Sequence, residues 1–224
     1  MICLNEKSFL DILEKCDGVV SGYKFQTEID FSKIKLTKDI KFKRCEFKKI
    51  TYSNTTIKYG FLFDKCNINT LTISNVIFKE QIVINSNIKE LLIGGANTFS
   101  SFLIQRGGEQ SKAPKISTLR MTGEIRGRIH ITCTKINYAD FSSLHSYAHF
   151  TLQMLECKRI KFHFFVNESG GFFHLMNLVS NSNDSRIYLG FSIFKNTKFT
   201  NCNFDSFTTF YVNNNDFSDL ISQG

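Results

Sequence analysis

The chain has 224 residues, of which 42% are hydrophobic and 21% charged, and 28 Lys and Arg against 20 Asp and Glu leave a formal charge of +8. That apolar content supports one sizeable core, and the basic balance favours an anionic partner such as nucleic acid, an acidic protein or a membrane surface. No apolar run approaches the roughly 18 residues of a membrane span, since the longest stretches stop at LLI (91–93) and FHFF (162–165), so a soluble, cytoplasmic protein without a membrane partner is expected.

The first sixteen residues carry Glu6, Lys7, Asp11 and Glu14 among their apolar positions, which breaks any signal-like segment. The stretch NEKSFLDILEKCDG (5–18) reads instead as a short helix. Asn5 can cap its start, Phe9, Ile12, Leu13 and Cys16 fall on one face, and Gly18 can end it. Residues 1–20 are assigned to this helix, with the apolar face closing one end of a single domain over 21–224.

From Phe63 onward every fifth residue is large and apolar: Phe63, Ile68, Ile73, Phe78, Val83, Ile88 and Ile93. Seven such matches at this composition would arise by chance on the order of once in a few hundred trials. The residues two before them are Phe61, Cys66, Leu71, Val76, Gln81, Ser86 and Leu91, while Lys, Asn, Thr, Glu and Ser fill most of the gaps. The same ruler runs upstream with one slip through Phe42, Phe47, Tyr52 and Ile57, and returns at Ile131, Ile136 and Phe141 and at Leu189, Phe194, Phe199 and Phe204. Neither the 3.6 period of a helix nor the 2 period of a strand produces it.

Four fives plus an occasional extra residue make 20 or 21, the spacing that separates Cys45 from Cys66. A coil that returns to the same place at that interval, with two inward residues in five, stacks on the next coil as parallel strands about 4.8 Å apart. Such a coil is unstable alone, because it encloses too little apolar area to offset the entropy of ordering the chain. About nine coils, roughly 40 Å of solenoid, are expected.

The fives IDF (29–31), CEF (45–47), CNI (66–68), SNI (86–88), ADF (139–141), CNF (202–204) and NDF (215–217) resemble the unit of the pentapeptide-repeat proteins, a small residue, then Asp or Asn, then Leu or Phe. The resemblance implies an all-β, right-handed parallel β-helix of square section. Many other fives lack the Asp or Asn, which leaves open a looser right-handed β-helix with broader coils, of the kind that pectin-degrading enzymes use. Family members that inhibit DNA gyrase imitate duplex DNA with an acidic rod; the opposite net charge here argues against that role.

The segment IQRGGEQSKAPK (104–115) holds the only proline and a Gly pair and reads as a loop thrown out of one coil. Two more loops are expected at 166–171 and 180–186, within an interrupted region at 166–186. The ruler is poorly kept over 142–180. The C-terminal NNNDFSDLISQG shows no helix, so the last coil is closed by an irregular tail or covered by another subunit, which makes an end-to-end homodimer through that coil an expectation.

Chemistry-bearing motifs are sparse. Seven scattered cysteines without CxxC spacing read as reduced, buried groups. His145, His149, Cys157 and His163 carry zinc-ligand chemistry without a zinc motif, and the Gly pairs do not form a phosphate loop, so neither metal nor cofactor is assigned. Asp140, Arg126, Arg128 and Lys135 could line one outer face if the chain were a polysaccharide-active enzyme.

The strongest surface signal is basic. Residues 33–49 concentrate lysines, with Lys41, Lys43, Arg44, Lys48 and Lys49 mostly off the inward positions, Arg44 stacking near Lys65 and Lys58 near Lys79. The reading is a non-catalytic interaction module that holds a protein partner or assembly on a rigid face or end. Its alternatives are nucleic-acid or other polyanion binding by the basic ladder, and polysaccharide chemistry.

Overall fold

The computed structural model describes residues 2–4, 6–105, 114–133, 135–154, 157–167, 172–176, 186–190, 192–194, 197–200, 202, 208–213 and 220–223. They form a parallel β-solenoid of about 7 turns with one short helix near the N-terminus. Strands pair in parallel with the strand at the same place one coil away. Ile50 lies against Leu71 and Ile57 against Phe78, an offset of 21 residues, while Ile84 lies against Ile104, an offset of 20.

Longer offsets account for part of the shortfall from the nine turns expected. Ile88 pairs with Ile116, an offset of 28 where its neighbour Ile84 has 20, so one coil carries eight extra residues between Ile104 and Ile116. The offset rises again to 23 between His149 and Phe172 and to 27 between Ile160 and Ile187. The expected loops at 104–115, 166–171 and 180–186 fall mainly outside the described residues, but the pairing on either side places the surplus chain there.

Inside, burial follows the ruler. Phe61 and Phe63, Cys66 and Ile68, Leu71 and Ile73, then Val76 and Phe78 are all buried, four inward pairs to one coil. In the next coil the frame slips. Ile82 and Ile84 are buried there, whereas Gln81 is exposed and Val83 half-buried, contrary to the strict five-residue count. The cause is local: the pairing shifts register between Phe78 and Gln81, so one residue bulges and the next inward pair arrives a position late. Like residues stack along the axis, as in Phe25 on Phe47 at 4.8 Å, Phe42 on Phe63 at 5.1 Å and Phe141 on Phe162 at 5.1 Å between ring centroids.

The corners explain the small residues of the fives. Arg44 and Lys65 adopt left-handed backbone (φ 52° and 55°) immediately before Cys45 and Cys66. The turn aims the next amide along the axis: the Cys45 N–H donates to Cys66 Sγ at 3.4 Å, and the Cys66 N–H donates to Ser86 Oγ at 2.8 Å. Ser86 Oγ in turn donates to the Phe63 carbonyl at 2.9 Å. A small side chain with a hydrogen-bonding tip therefore satisfies backbone that a bulky residue would leave unpaired. Ten residues further on a second corner recurs at Asn54, Asn75, Gly95 and Gly123, with φ from 48° to 80°. The Asn75 side chain donates to Asn54 Oδ1 at 3.1 Å and accepts from the Ala96 N–H at 2.9 Å, so the corner carries its own ladder.

The helix spans Glu6–Lys15. Phe9 is fully buried against Phe25, Phe31 and Phe42, and Leu13 is buried beside it, while Ile12 and Cys16 pack partly on the core. A strand at Ile2–Leu4, absent from the sequence reading, precedes the helix and pairs with Tyr23–Phe25. At the other end Leu220–Gln223, within the stretch read as an irregular tail or a subunit contact, forms a strand against Thr197–Thr200. Among the described residues no helix is long and apolar enough to cross a membrane.

Candidate functional site

The basic residues expected to form a ladder are distributed around the coil. Lys41 lies between Val19 and Leu62 of the neighbouring coils, and Lys43 between Ser21 and Asp64. Lys49 lies between Glu28 and Thr70 and makes a 3.0 Å ion pair with Glu28. Lys48 stands on a further side, in a shallow depression with Gln26, Asn67, Asn69 and the Lys24–Glu46 ion pair of 2.9 Å. Within residues 33–49, Arg44 stacks like charge on like charge with Lys65 at the shared corner, and beyond that segment Lys58 follows Ile57 beside Lys79 after Phe78, as the spacing predicts. Neighbouring carboxylates thus interrupt the segment's charge along the axis, although Lys41, Lys43, Arg44, Lys48 and Lys65 make no ion pair among the described residues.

The four residues considered for polysaccharide chemistry do not share a face. Lys135 and Asp140 belong to a strand paired with Lys115–Met121 and Cys157–His163, whereas Arg126 and Arg128 belong to one paired with Ala96–Ile104 and Leu144–Met154. Asp140 is buried within its own cluster. It accepts from the Tyr138 hydroxyl at 2.9 Å and the Ser142 N–H at 3.0 Å, and Arg120 lies 3.6 Å away. Burial opposes its ionisation, but the Ser142 and Tyr138 hydrogen bonds and the Lys161 charge outweigh it, so the carboxyl stays below its ordinary range.

The histidines are separated by strand geometry. His145 and His149 point outward from one strand, and four residues of extended chain place them ~13 Å apart, beyond the reach of one metal ion. Cys157 is buried in the core. No group of three or more His, Cys, Asp or Glu suited to a metal occurs among the described residues. The hydrogen bond shared by Cys45 and Cys66 moves the two thiols in opposite directions, lowering Cys45 and, together with burial, raising Cys66, while burial pushes Cys133 up to about 12.

The most continuous outer surface lies where sequence reading was weakest. Gly123–Cys133 pairs residue for residue with Leu144–Met154, eleven partners without a register shift. Leu144, Ser146, Ala148, Phe150 and Leu152 point inward with strict period two, which is why the five-residue ruler fails over 142–154. The outward rows are Glu124, Arg126, Arg128 and His130 on one strand and His145, Tyr147, His149 and Thr151 on the next. The Arg126 guanidinium lies over the Tyr147 ring at 4.2 Å and is held by Glu124 at 2.7 Å. Beyond them Phe172 pairs with His149, and His174 with Thr151. Sequence analysis weighed several of these residues singly but did not assemble them: Arg126 and Tyr147 are an ordinary 21 residues apart, but the five-residue ruler that would have aligned them is lost over 142–154, and Phe172 joins at an offset of 23. Compared with protein-family models, curated proteins and solved structures, the chain gives no match.

Proposed function

We propose that this chain is a non-catalytic β-solenoid module whose work is to hold a partner macromolecule against a rigid outer face. The observation that carries the reading is the unbroken pairing of Gly123–Cys133 with Leu144–Met154. Parallel pairing fixes each outward side chain relative to its neighbours, so a partner meets a pre-ordered surface and little side-chain entropy is lost on docking. Arginine and tyrosine are the residue types that dominate binding energy at such surfaces, and Arg126 is already locked onto Tyr147. The inward pairs spaced in fives support placing the chain with the pentapeptide-repeat proteins.

The experiment is site-specific photo-crosslinking in cell extract, with the crosslinker at position 128, 147 or 149 and control positions at Asn67 and Asn137, exposed on other sides. Capture of a species from the 128–149 face but not from the controls supports the proposal. Equal capture from every position overturns it. A second reading is favoured by the far end, where Thr208–Asn213 and Leu220–Gln223 each pair on one side only among the described residues. Such edges accept another strand, and a mass in solution of two chains would support end-to-end pairing, whereas a monomeric mass would remove it.

A further inference from the structure

Along one edge of the solenoid the coils align a series of exposed residues. Ile57, Phe78, Phe99, Gly127 and Ala148 succeed one another by direct pairing from coil to coil. The residue after each therefore leaves the same corner: Lys58, Lys79, Ser100, Arg128 and His149, every one exposed, with the pairing shifting by one residue just beyond Phe78 and just beyond Phe99. At ~4.8 Å per coil this strip is about 19 Å long and one side chain wide. Lys58, Lys79 and Arg128 make no ion pair among the described residues, in contrast to Lys24, Lys49 and Arg126. Glu80 follows Lys79 in sequence, and Glu124, on the strand of Arg128, is paired with Arg126.

At its far end the strip becomes aromatic. His149 pairs with the half-buried Phe172, whose ring meets His174 edge-on at 5.7 Å, and Tyr147 lies beside them under the Arg126 guanidinium. Cations in a line that ends on aromatic faces match a single-stranded nucleic acid, which offers phosphates to the first and unstacked bases to the second. A duplex keeps its bases stacked on one another and would leave the rings unused. An acidic peptide would engage the cations alone.

On the premise that the chain is a docking module, we infer that the strip Lys58–Lys79–Ser100–Arg128–His149 binds single-stranded nucleic acid along the solenoid axis, with Phe172 as a base-stacking platform. The test uses the full chain and a fluorescein-labelled 20-nucleotide oligothymidine followed by anisotropy. Three neutralised phosphates give a log–log salt dependence with a slope near −2, from about 0.7 per contact. The variant Lys58→Gln/Lys79→Gln/Arg128→Gln should bind at least ~10-fold more weakly and lose most of that slope. Phe172→Ala should weaken binding ~5-fold or more with the slope unchanged. Lys41→Gln/Lys43→Gln/Lys48→Gln, which removes the same charge from other sides, should retain affinity within about twofold.

Equal loss in the two triple variants would assign the effect to net charge and overturn the inference. So would displacement of the oligonucleotide by duplex or by polyglutamate at matched charge, or absence of binding at 50 mM salt. If oligothymidine is not bound while crosslinking from 128–149 persists, the nucleic-acid assignment falls and the docking module stands. If both fail, the docking reading falls with it.

Discussion

Two glycines allow the solenoid's packing to be tested against backbone conformation alone. Gly22 and Gly127 both adopt positive φ, +77° and +97°. A Cβ on Gly22 would meet no atom within 4 Å, whereas a Cβ on Gly127 would overlap the carbonyl oxygen of Phe99, which is backbone of the adjacent coil. Gly22→Ala therefore bears only the conformational cost of left-handed backbone, about 1–2 kcal/mol, partly offset by a stiffer unfolded chain. Gly127→Ala bears that cost plus the relief of overlap, about 1–3 kcal/mol, and roughly 1 kcal/mol for each inter-coil hydrogen bond stretched as the coils separate. The total is about 3–5 kcal/mol. The chain has no tryptophan, so far-ultraviolet circular dichroism in urea is the natural assay. With a slope of about 2 kcal/mol per molar, the midpoint should drop by roughly 2 M for Gly127→Ala and by about 0.5 M for Gly22→Ala. Equal shifts, or a Gly127→Ala midpoint within 0.5 M of the parent, would refute the close approach of these two coils.

Further predictions concern the corner, the plug, the inserted chain and pH. Asn97 is buried, accepting from the Val76 N–H at 3.1 Å and donating to the Gly94 carbonyl at 2.8 Å, so Asn97→Ala strands both groups and should cost ~2–4 kcal/mol in urea unfolding. Phe9→Ala removes a ring packed on Phe25, Phe31 and Phe42 and should cost ~3–5 kcal/mol, with hydrogen exchange accelerating first in the strands at 19–30. Deleting residues 106–113 returns the 28-residue offset to 20, as at Ile84 and Ile104, and should leave the dichroism spectrum intact and the midpoint within about 1 kcal/mol of the parent. Asp140, Glu28 and Asp30 all lie below their ordinary carboxylate values, so their stabilisation is present above pH ~4 and lost as pH falls through the lowered values. Melting temperature should hold from pH 5 to 7 and fall below pH 4, with a shallower fall in Asp140→Asn.

The inward pairs were legible because they are a local property. Whether Phe61, Phe63, Cys66 and Ile68 face inward depends only on chain direction within one coil, which the alternation of large, small and polar residues records directly. The helical plug was legible for the same reason, since Phe9, Leu13 and Cys16 share a face by spacing alone. Where the count met a bulge it failed: nothing between Phe78 and Ile82 announces that Gln81 and Val83 will give up their places to Ile82 and Ile84. Over 142–154 the failure was of another kind, because there the chain alternates as an ordinary strand and the five-residue ruler has nothing to measure.

By itself, then, the order of residues determined that the chain winds, which side chains fill the interior, and how many residues make an uninterrupted turn. Residue spacing already put Lys58 near Lys79; the tertiary structure alone dispersed Lys41, Lys43, Lys48 and Lys49 around the coil and brought Arg128 into line with Lys58 and Lys79. The reason is cumulative length. Facing inward or outward is settled within a few residues, but adjacency along the axis is the sum of every residue, bulge and insertion in the intervening turn, and a single extra position moves the whole outer row.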